Sequence, residues 1–311
     1  MIKISFVCPV FNKKKYLKDV LSSIKNQTGE FEKEYIFVND GSTDGSLDLI
    51  KKNTASWKNT IILNQSNSGP AGATQFGISR AKGDYIKLVG GDDVMAPFCS
   101  EILLKTITKK KSVAAFSSYK LLSSYKKINY ENANIKNFRI IKTPLLETVR
   151  SSFSGTTPNL YCNKSIKKTG GCNKKIFVED FSLVLGLSKL GDFSFIDNVT
   201  SYGPKDDNNR IMVGQKTQLI HDYNAALYYF IKENKMEESI IKVACKKSLG
   251  RAEKWFRREM KKTKFNKMTL YKICLFLGRK DYLNLIKESC LFIYNYSNKN
   301  SVRYKLEYHS P

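Results

Sequence analysis

The residues of this chain best suited to chemistry stand where apolar stretches run out. Residues 83–93 read Gly-Asp-Tyr-Ile-Lys-Leu-Val-Gly-Gly-Asp-Asp, a short strand that empties into two glycines and then the adjacent carboxylates Asp92 and Asp93. Carboxylates at a strand's C-terminal end, beside backbone that lets a ligand approach closely, suit a divalent cation and the diphosphate it carries; a surface turn has a similar composition. A second acidic loop, Asn39-Asp40-Gly41-Ser42-Thr43-Asp44-Gly45, also follows a strand. There Asp40 is placed to accept hydrogen bonds from a nucleobase imide or ribose hydroxyls, the alternative being a capping turn, and Asp44 to cap the next helix. Asp206 and Asp207 form a further acidic pair, read as part of a solvated loop.

These loops need elements to hold them. Strand patterns at 2–10, 35–38, 61–64 and 85–89 alternate with helical patterns at 16–25, from about 46, and at 74–81; Leu17, Val20, Leu21 and Ile24 share one face of the first helix. Alternation of this kind predicts an α/β fold, a mainly parallel sheet with helices on both faces, whose ligands bind outside the carboxyl ends of the strands. A helix over 98–108 and a strand over 113–119 follow, and then a lysine- and asparagine-rich stretch of little pattern. From about Gln215 helical periodicity dominates and glycine and proline nearly vanish. The expected division is 1–214 and a basic helical region, 215–311.

The 311 residues carry 53 Lys and Arg against 28 Asp and Glu, a formal net charge of +25, so an anionic partner is expected: nucleic acid, an acidic membrane face or a phosphorylated substrate. Hydrophobic residues at 41% and aromatics at 12% exclude a disordered chain. Seven cysteines without a CxxC pair point to a reduced, cytoplasmic setting rather than a disulfide scaffold. No apolar run approaches the ~20 residues of a membrane span, and the N-terminus runs directly into a strand, with no signal peptide read there.

As an ordered set, these segments resemble the inverting GT-A glycosyltransferases of family 2, over about residues 1–210. Cys8-Pro9-Val10-Phe11-Asn12 is similar to the opening Pro-x-aromatic-Asn element, and residues 38–44 to the nucleotide loop, with Asp40 at the base-binding position. Asn67-Ser68-Gly69-Pro70-Ala71-Gly72-Ala73 is similar to the Asn-x-Gly-x-x-x-Ala stretch beside the nucleotide. Asp92 and Asp93 match the last two carboxylates of the Asp-x-Asp-Asp metal element, and Glu179-Asp180 the Glu-Asp element whose aspartate is the general base. The resemblance implies nucleotide contacts from Pro9, Phe11, Asn12, Asp40, Asn67, Gly69 and Asp92. It also implies Mn2+ or Mg2+ held by Asp92 and Asp93, a base at Asp180, and Glu179 orienting the acceptor or supporting the turn. A UDP-sugar is the favoured donor, and the acceptor a saccharide or lipid-linked saccharide. Two departures stand out. Gly90 replaces the first aspartate of the metal element, and Tyr202-Gly203-Pro204-Lys205 stands where the family often has Tyr-Arg-x-His. Lys205 there either neutralises diphosphate or is a solvated loop lysine, and His221 lies too far along to take the histidine's place.

In the C-terminal third, residues 246–264 place Leu249, Ala252, Trp255, Phe256 and Met260 at helical spacing among Lys247, Arg251, Lys254, Arg257, Arg258, Lys261 and Lys262. Such a helix suits the surface of an anionic bilayer or packs on its own domain. Residues 275–296 are more apolar and expected to be buried. A specific nucleic-acid binder lacks support in zinc spacing or RNP-like aromatics. A sugar nucleotidyltransferase expects a glycine-rich, arginine-bearing loop after the first strand, which residues 9–12 do not form. A catalytically silent scaffold is the remaining alternative, motivated by Gly90 and the missing histidine.

Overall fold

The computed structural model describes residues 1–126, 128–130, 132–151, 153, 157–205, 215–260, 265–298, 301–304 and 306. Asp206, Asp207, Lys261 and Lys262 lie outside the described residues. The elements run β1 (Lys3–Val10), α1 (Lys14–Lys25), β2 (Glu32–Asp40), α2 (Ser46–Thr54), β3 (Thr60–Gln65), α3 (Gly69–Arg80), β4 (Tyr85–Leu88), β5 (Val94–Met95), α4 (Cys99–Lys110) and β6 (Ala114–Leu122). They continue with β7 (Arg139–Ile141), α5 (Leu145–Ser151), β8 (Asn159–Cys162), α6 (Asn163–Thr169), α7 (Glu179–Leu187), β9 (Phe193–Pro204), α8 (Lys216–Glu233), α9 (Glu238–Glu259), α10 (Lys267–Phe276) and α11 (Tyr282–Tyr296).

The chain divides into two compact units. The first comprises Met1–Pro144, Ser154–Cys172 and Gly186–Asp207; the second comprises Leu145–Phe153, Asn173–Leu185 and Asn208–Pro311. The second unit thus takes two inner segments of the chain besides its C-terminal part, and one of them carries Glu179 and Asp180.

The first unit is built on a nine-stranded sheet of order β3-β2-β1-β4-β8-β6-β9-β5, with β7 pairing β9. Its β3-β2-β1-β4 half is parallel, as the alternation of elements predicts. Beyond β4 the sheet becomes mixed, because β8 is antiparallel to both β4 and β6 while β6 and β9 are parallel. The apolar runs of β1 and β2 are explained by cover on both faces. Ile4, Phe6, Cys8 and Val10 join a core with Leu17, Val20, Leu21 and Ile24 of α1 and Ile102, Leu103 and Ile107 of α4. On the opposite face Val7 meets α3, where a Cβ at Gly77 would lie 2.4 Å from Val7 Cγ1. The chain that reads as patternless after 119 contributes β7 and β8, strands of three and four residues. Helix α3 begins at Gly69, five residues before the expected start, because Pro70 sits in its first turn, where the missing N–H has no partner to lose.

The second unit is helical and has its own core, in which Val149, Phe181, Leu185, Leu227, Leu249, Ile286 and Phe292 are among the buried side chains. Trp255 and Phe256 belong to this core, at 2% and 7% exposure, and Trp255 Nε1 donates to Thr217 Oγ1 at 3.1 Å. Of the two fates open to the aromatic edge of α9, packing on its own domain is the one found; helical spacing alone does not say which side of the helix packs. The apolar stretch 275–296 is interrupted between α10 and α11. Among the described residues no helix is long and apolar enough to cross a membrane.

Candidate active site

The carboxyl ends of β1, β2 and β4 lie side by side, and most of the residues singled out in the sequence stand on the loops that leave them. Cys8 reports the same proximity. Burial pushes its thiol well above the usual range, and the charges of Asp92 and Asp93 add to the effect.

Asp40 ends β2 and is 2% exposed. Its Oδ1 accepts from Ser68 N at 2.8 Å and Gln65 Nε2 at 2.7 Å, and its Oδ2 from Gly69 N at 2.9 Å. The carboxylate thus anchors the N-terminus of α3, where backbone N–H groups have no intrahelical acceptor, and Asn67 Nδ2 donates to the Asp40 carbonyl at 3.2 Å. Ser68 Oγ also donates to Oδ1, at 3.3 Å, so any further acceptor capacity of the carboxylate lies on Oδ2, which takes only one of the four bonds. Asp44 takes the capping role expected of it, accepting from Ser46 N at 2.9 Å, Ser46 Oγ at 2.6 Å and Lys14 N at 2.9 Å. Burial works to raise its carboxyl, but these hydrogen bonds outweigh it and hold the group below the usual range.

Asn12, at φ 52°, ties two of the loops together. Its N–H donates to Ser42 Oγ at 3.0 Å and its Oδ1 accepts from Thr43 N at 2.8 Å. Asparagine tolerates this left-handed backbone better than most residues do. Pro9 lies within β1 opposite Val38, and Phe11 is half-buried just beyond the strand.

The two aspartates of the diacid do different work. Asp93 is 7% exposed; Tyr119 OH donates to Oδ1 at 2.7 Å and Thr157 Oγ1 to Oδ2. Gly203 of β9 lies so close that a Cβ there would stand 1.5 Å from Tyr119 OH and 2.8 Å from Asp93 Oδ1, so any other residue would displace the Tyr119 hydroxyl from Asp93. This close approach brings the 202–205 segment to the diacid, with Lys205 exposed and its N–H donating to Leu122 O at 2.8 Å. Asp92 Oδ2 accepts from Lys13 Nζ at 2.5 Å, and the Asp92 carbonyl accepts from Tyr125 OH.

The expected metal set can be tested on these contacts. Both oxygens of Asp93 are committed to hydroxyls, and a Cβ at Gly90 would lie 2.7 Å from Asp93 Oδ2. Among the described residues no three His, Cys, Asp or Glu side chains form a cluster able to hold an ion. Asp93 thus already serves as a buried acceptor for two hydroxyls and keeps lone pairs beyond them, while Asp92 is paired with Lys13. Asp92, the more exposed of the two, fits as a protein ligand in the manner of cations bound through one or two carboxylates plus substrate phosphates and water.

Glu179 and Asp180 open α7 in the second unit, half-buried, in the first turn where the helix dipole favours negative charge. Asp180 Oδ1 accepts from Phe181 N at 2.8 Å. The approach to this turn is pinned by Asp222, whose Oδ2 accepts from Phe177 N at 2.5 Å and whose Oδ1 lies 2.7 Å from His221 Nδ1. Burial raises the Asp222 carboxyl, against the pull of His221. His221 is fully buried within this unit, and its Nε2 has no partner among the described residues.

Glycosyl transferase family 2, as a sequence family, matches residues 5–167, which include every strand-end loop described above. The chain belongs to glycosyl transferase family 2. Within the family it is 26% identical to the chondroitin synthase of Pasteurella multocida over 217 residues, 70% of this chain and 21% of that protein. It is 39% identical to the poly(ribitol-phosphate) beta-glucosyltransferase of Bacillus spizizenii over 107 residues, 33% of this chain and 16% of that one. The chain spans about a fifth of the length of the first of these relatives. The fold is that of S. aureus TarS 1–349 in complex with UDP-GlcNAc: TM-score 0.65, 18% identity, covering 93% of this chain and 83% of that one. It is also that of the mannosyltransferase PcManGT from Pyrobaculum calidifontis in complex with GDP-Man and Mn2+: TM-score 0.59, 12% identity, 93% and 86% covered.

Several residues that shape the site carry no signal in the sequence. Lys13 is hidden in a run of three lysines, and Tyr119, Tyr125 and Thr157 come from segments that join the diacid only through the sheet. Lys87 is the most deeply placed of them. It is fully buried on β4 and donates to Asn159 O at 2.7 Å and to Thr157 O, so it holds the backbone from which Thr157 reaches Asp93. Burial lowers its ammonium below the usual range, while Cys99 and Asp93 pull the other way. Lys87→Met removes the donor that the two buried carbonyls share. The expected result is a loss of about 1–3 kcal/mol, read as a lower urea midpoint at unchanged slope; an unchanged midpoint would show that the carbonyls find other partners.

Proposed function

We propose that this family 2 chain is an inverting glycosyltransferase that moves a hexosyl or N-acetylhexosaminyl group from a UDP-sugar to a hydroxyl of a saccharide or lipid-linked saccharide, in bacterial surface-glycan synthesis. The observation that carries the reading is the gathering of Asp40, Asn67, Gly69, Asn12 and Asp92 at the carboxyl ends of three parallel strands. A nucleotide-binding crevice forms at that place in such sheets. The UDP-GlcNAc complex of one structural neighbour and the glycan-building relatives support the choice of donor and product class.

In the proposed reaction the acceptor oxygen attacks the anomeric carbon, the bond to the diphosphate oxygen breaks on the opposite face, and the acceptor proton passes to Asp180. The first-turn position of Asp180 favours the carboxylate that must take this proton. Glu179 orients the acceptor or supports the turn. Lys205 lies on the segment that Gly203 brings to the diacid and adds a cation for the leaving diphosphate. A bound Mn2+ or Mg2+, held by Asp92 and Asp93, would neutralise part of the leaving charge.

The proposed setting is the cytoplasmic membrane face, with an anionic bilayer as partner. Since Trp255 and Phe256 are interior, the face that supports this is on α10. Leu270, Ile273, Phe276 and Leu277 follow one another at helical spacing and are exposed, the last two at 87% and 76%, and Phe265 precedes them, also exposed. Residues 238–298 hold 15 Lys and Arg against five Asp and Glu, so an anionic surface complements this face and a second copy of the same basic chain does not.

Titration with UDP, GDP and dTDP, with and without Mn2+, tests the catalytic reading. Expected are binding of UDP in preference to the others, weakened by Asp92→Ala, and a kcat about 10²–10⁴-fold lower in Asp180→Asn at unchanged UDP affinity. Absence of nucleotide binding under every condition would overturn it. For the surface, Phe276→Asp with Leu277→Asp is expected to abolish sedimentation with phosphatidylglycerol vesicles. Equal sedimentation of variant and wild type, or loss of a dimer instead, would contradict the bilayer assignment.

A further inference from the structure

Lys13, on the loop that leaves β1, contacts the start of α2 and the loop that leaves β4. Its backbone N–H donates to Ser46 Oγ at 3.0 Å, and its carbonyl accepts from Tyr16 N at 2.9 Å and Leu17 N at 3.1 Å as α1 begins. Its stem crosses Gly91: a Cβ there would stand 3.1 Å from Lys13 Cγ and 3.2 Å from Pro9 O. Its ammonium ends 2.5 Å from Asp92 Oδ2, with the side chain only 5% exposed. A lysine is costly to bury and loses much rotamer freedom when fixed. Here the open side of Gly91 and a carboxylate placed to hold a metal are both given over to it.

We propose that Lys13 is a diphosphate-positioning residue that serves as the resident counter-ion of Asp92, so that a divalent cation joins the site only together with the nucleotide. This rests on the nucleotide-sugar reading and adds to it the order in which charge assembles. An ammonium at hydrogen-bond distance from Asp92 disfavours a second cation on the same carboxylate while the site holds no nucleotide. The diphosphate brings negative charge enough for both cations. The ammonium then turns part of its hydrogen-bonding capacity from Asp92 to a phosphoryl oxygen, and Asp92 is released to the metal.

The test uses the full chain, with UDP and Mn2+ as separate probes: UDP affinity by calorimetry in EDTA, and Mn2+ affinity without nucleotide by electron paramagnetic resonance. Lys13→Met is expected to weaken UDP binding in EDTA by about tenfold to a hundredfold. It is also expected to tighten Mn2+ binding in the absence of UDP, by about tenfold. Lys13→Arg, which keeps the charge, is expected to retain the low Mn2+ affinity. Gly91→Ala disturbs the lysine's track without removing a charge and guards against a folding failure of Lys13→Met; it too is expected to weaken UDP binding in EDTA. Wild-type affinity for UDP and Mn2+ in folded Lys13→Met, or wild-type UDP affinity in Gly91→Ala, would overturn the role of Lys13 and leave the transferase reading standing. A wild-type chain that binds no UDP would overturn both.

Discussion

A carboxylate placed in a protein interior must be given hydrogen bonds, and the donors given to Asp93 organise this site. Its acceptance of Tyr119 and Thr157 hydroxyls, with Gly203 closed over it, ties β4 to β6, β8 and β9 at one point. The parallel and mixed halves of the sheet are joined there, and the next residue back along the chain, Asp92, is thereby fixed beside Lys13. Lys87 underlies the same arrangement by satisfying the carbonyls of Thr157 and Asn159. Two buried ionisable groups on one short strand end are tolerable because each has its partners supplied by β8 and the strands beyond it.

The parallel half of the sheet was legible in the sequence because its strands are covered on both faces and read as continuous apolar runs, with acidic and glycine-rich loops at their ends. Asp40, Asn67 and Gly69 stand together as the motif order implied. Asp44 caps as its Asx turn suggested, and Asp40 adds a capping duty to the position expected for a ligand. What stayed hidden depends on long-range pairing. Strands β7 and β8 are too short for a periodicity to show, and Thr157 is brought to Asp93 by strand order, not by spacing along the chain. Lys13 stands in a run of three lysines, and no local pattern distinguishes the one whose stem lies over a glycine.

The helical third of the chain shows the same limit. Its period was evident, but a helix with apolar residues among many cations does not announce which side packs. Trp255 is interior because its N–H finds Thr217, while the outward stripe belongs to α10, which starts at the Asn266 cap and turns Met268 and Leu275 to the core. Of the +25 formal charge, a large share falls in this helical region, where residues 238–298 hold 15 Lys and Arg against five Asp and Glu, whereas the loops around Asp92 balance Lys13, Lys14 and Lys15 against Asp40, Asp44, Asp92 and Asp93.

The central claim is that the donor nucleotide lies at the carboxyl ends of β1, β2 and β4. A crystal structure of the chain soaked with UDP tests it most directly. The account predicts a uracil beside Asp40 and the Asn67–Gly69 turn, with the diphosphate reaching Lys13 and Asp92. Density for UDP at any other place in the chain, with the Lys13–Asp92 pair and the Asp40 loop untouched, would contradict it.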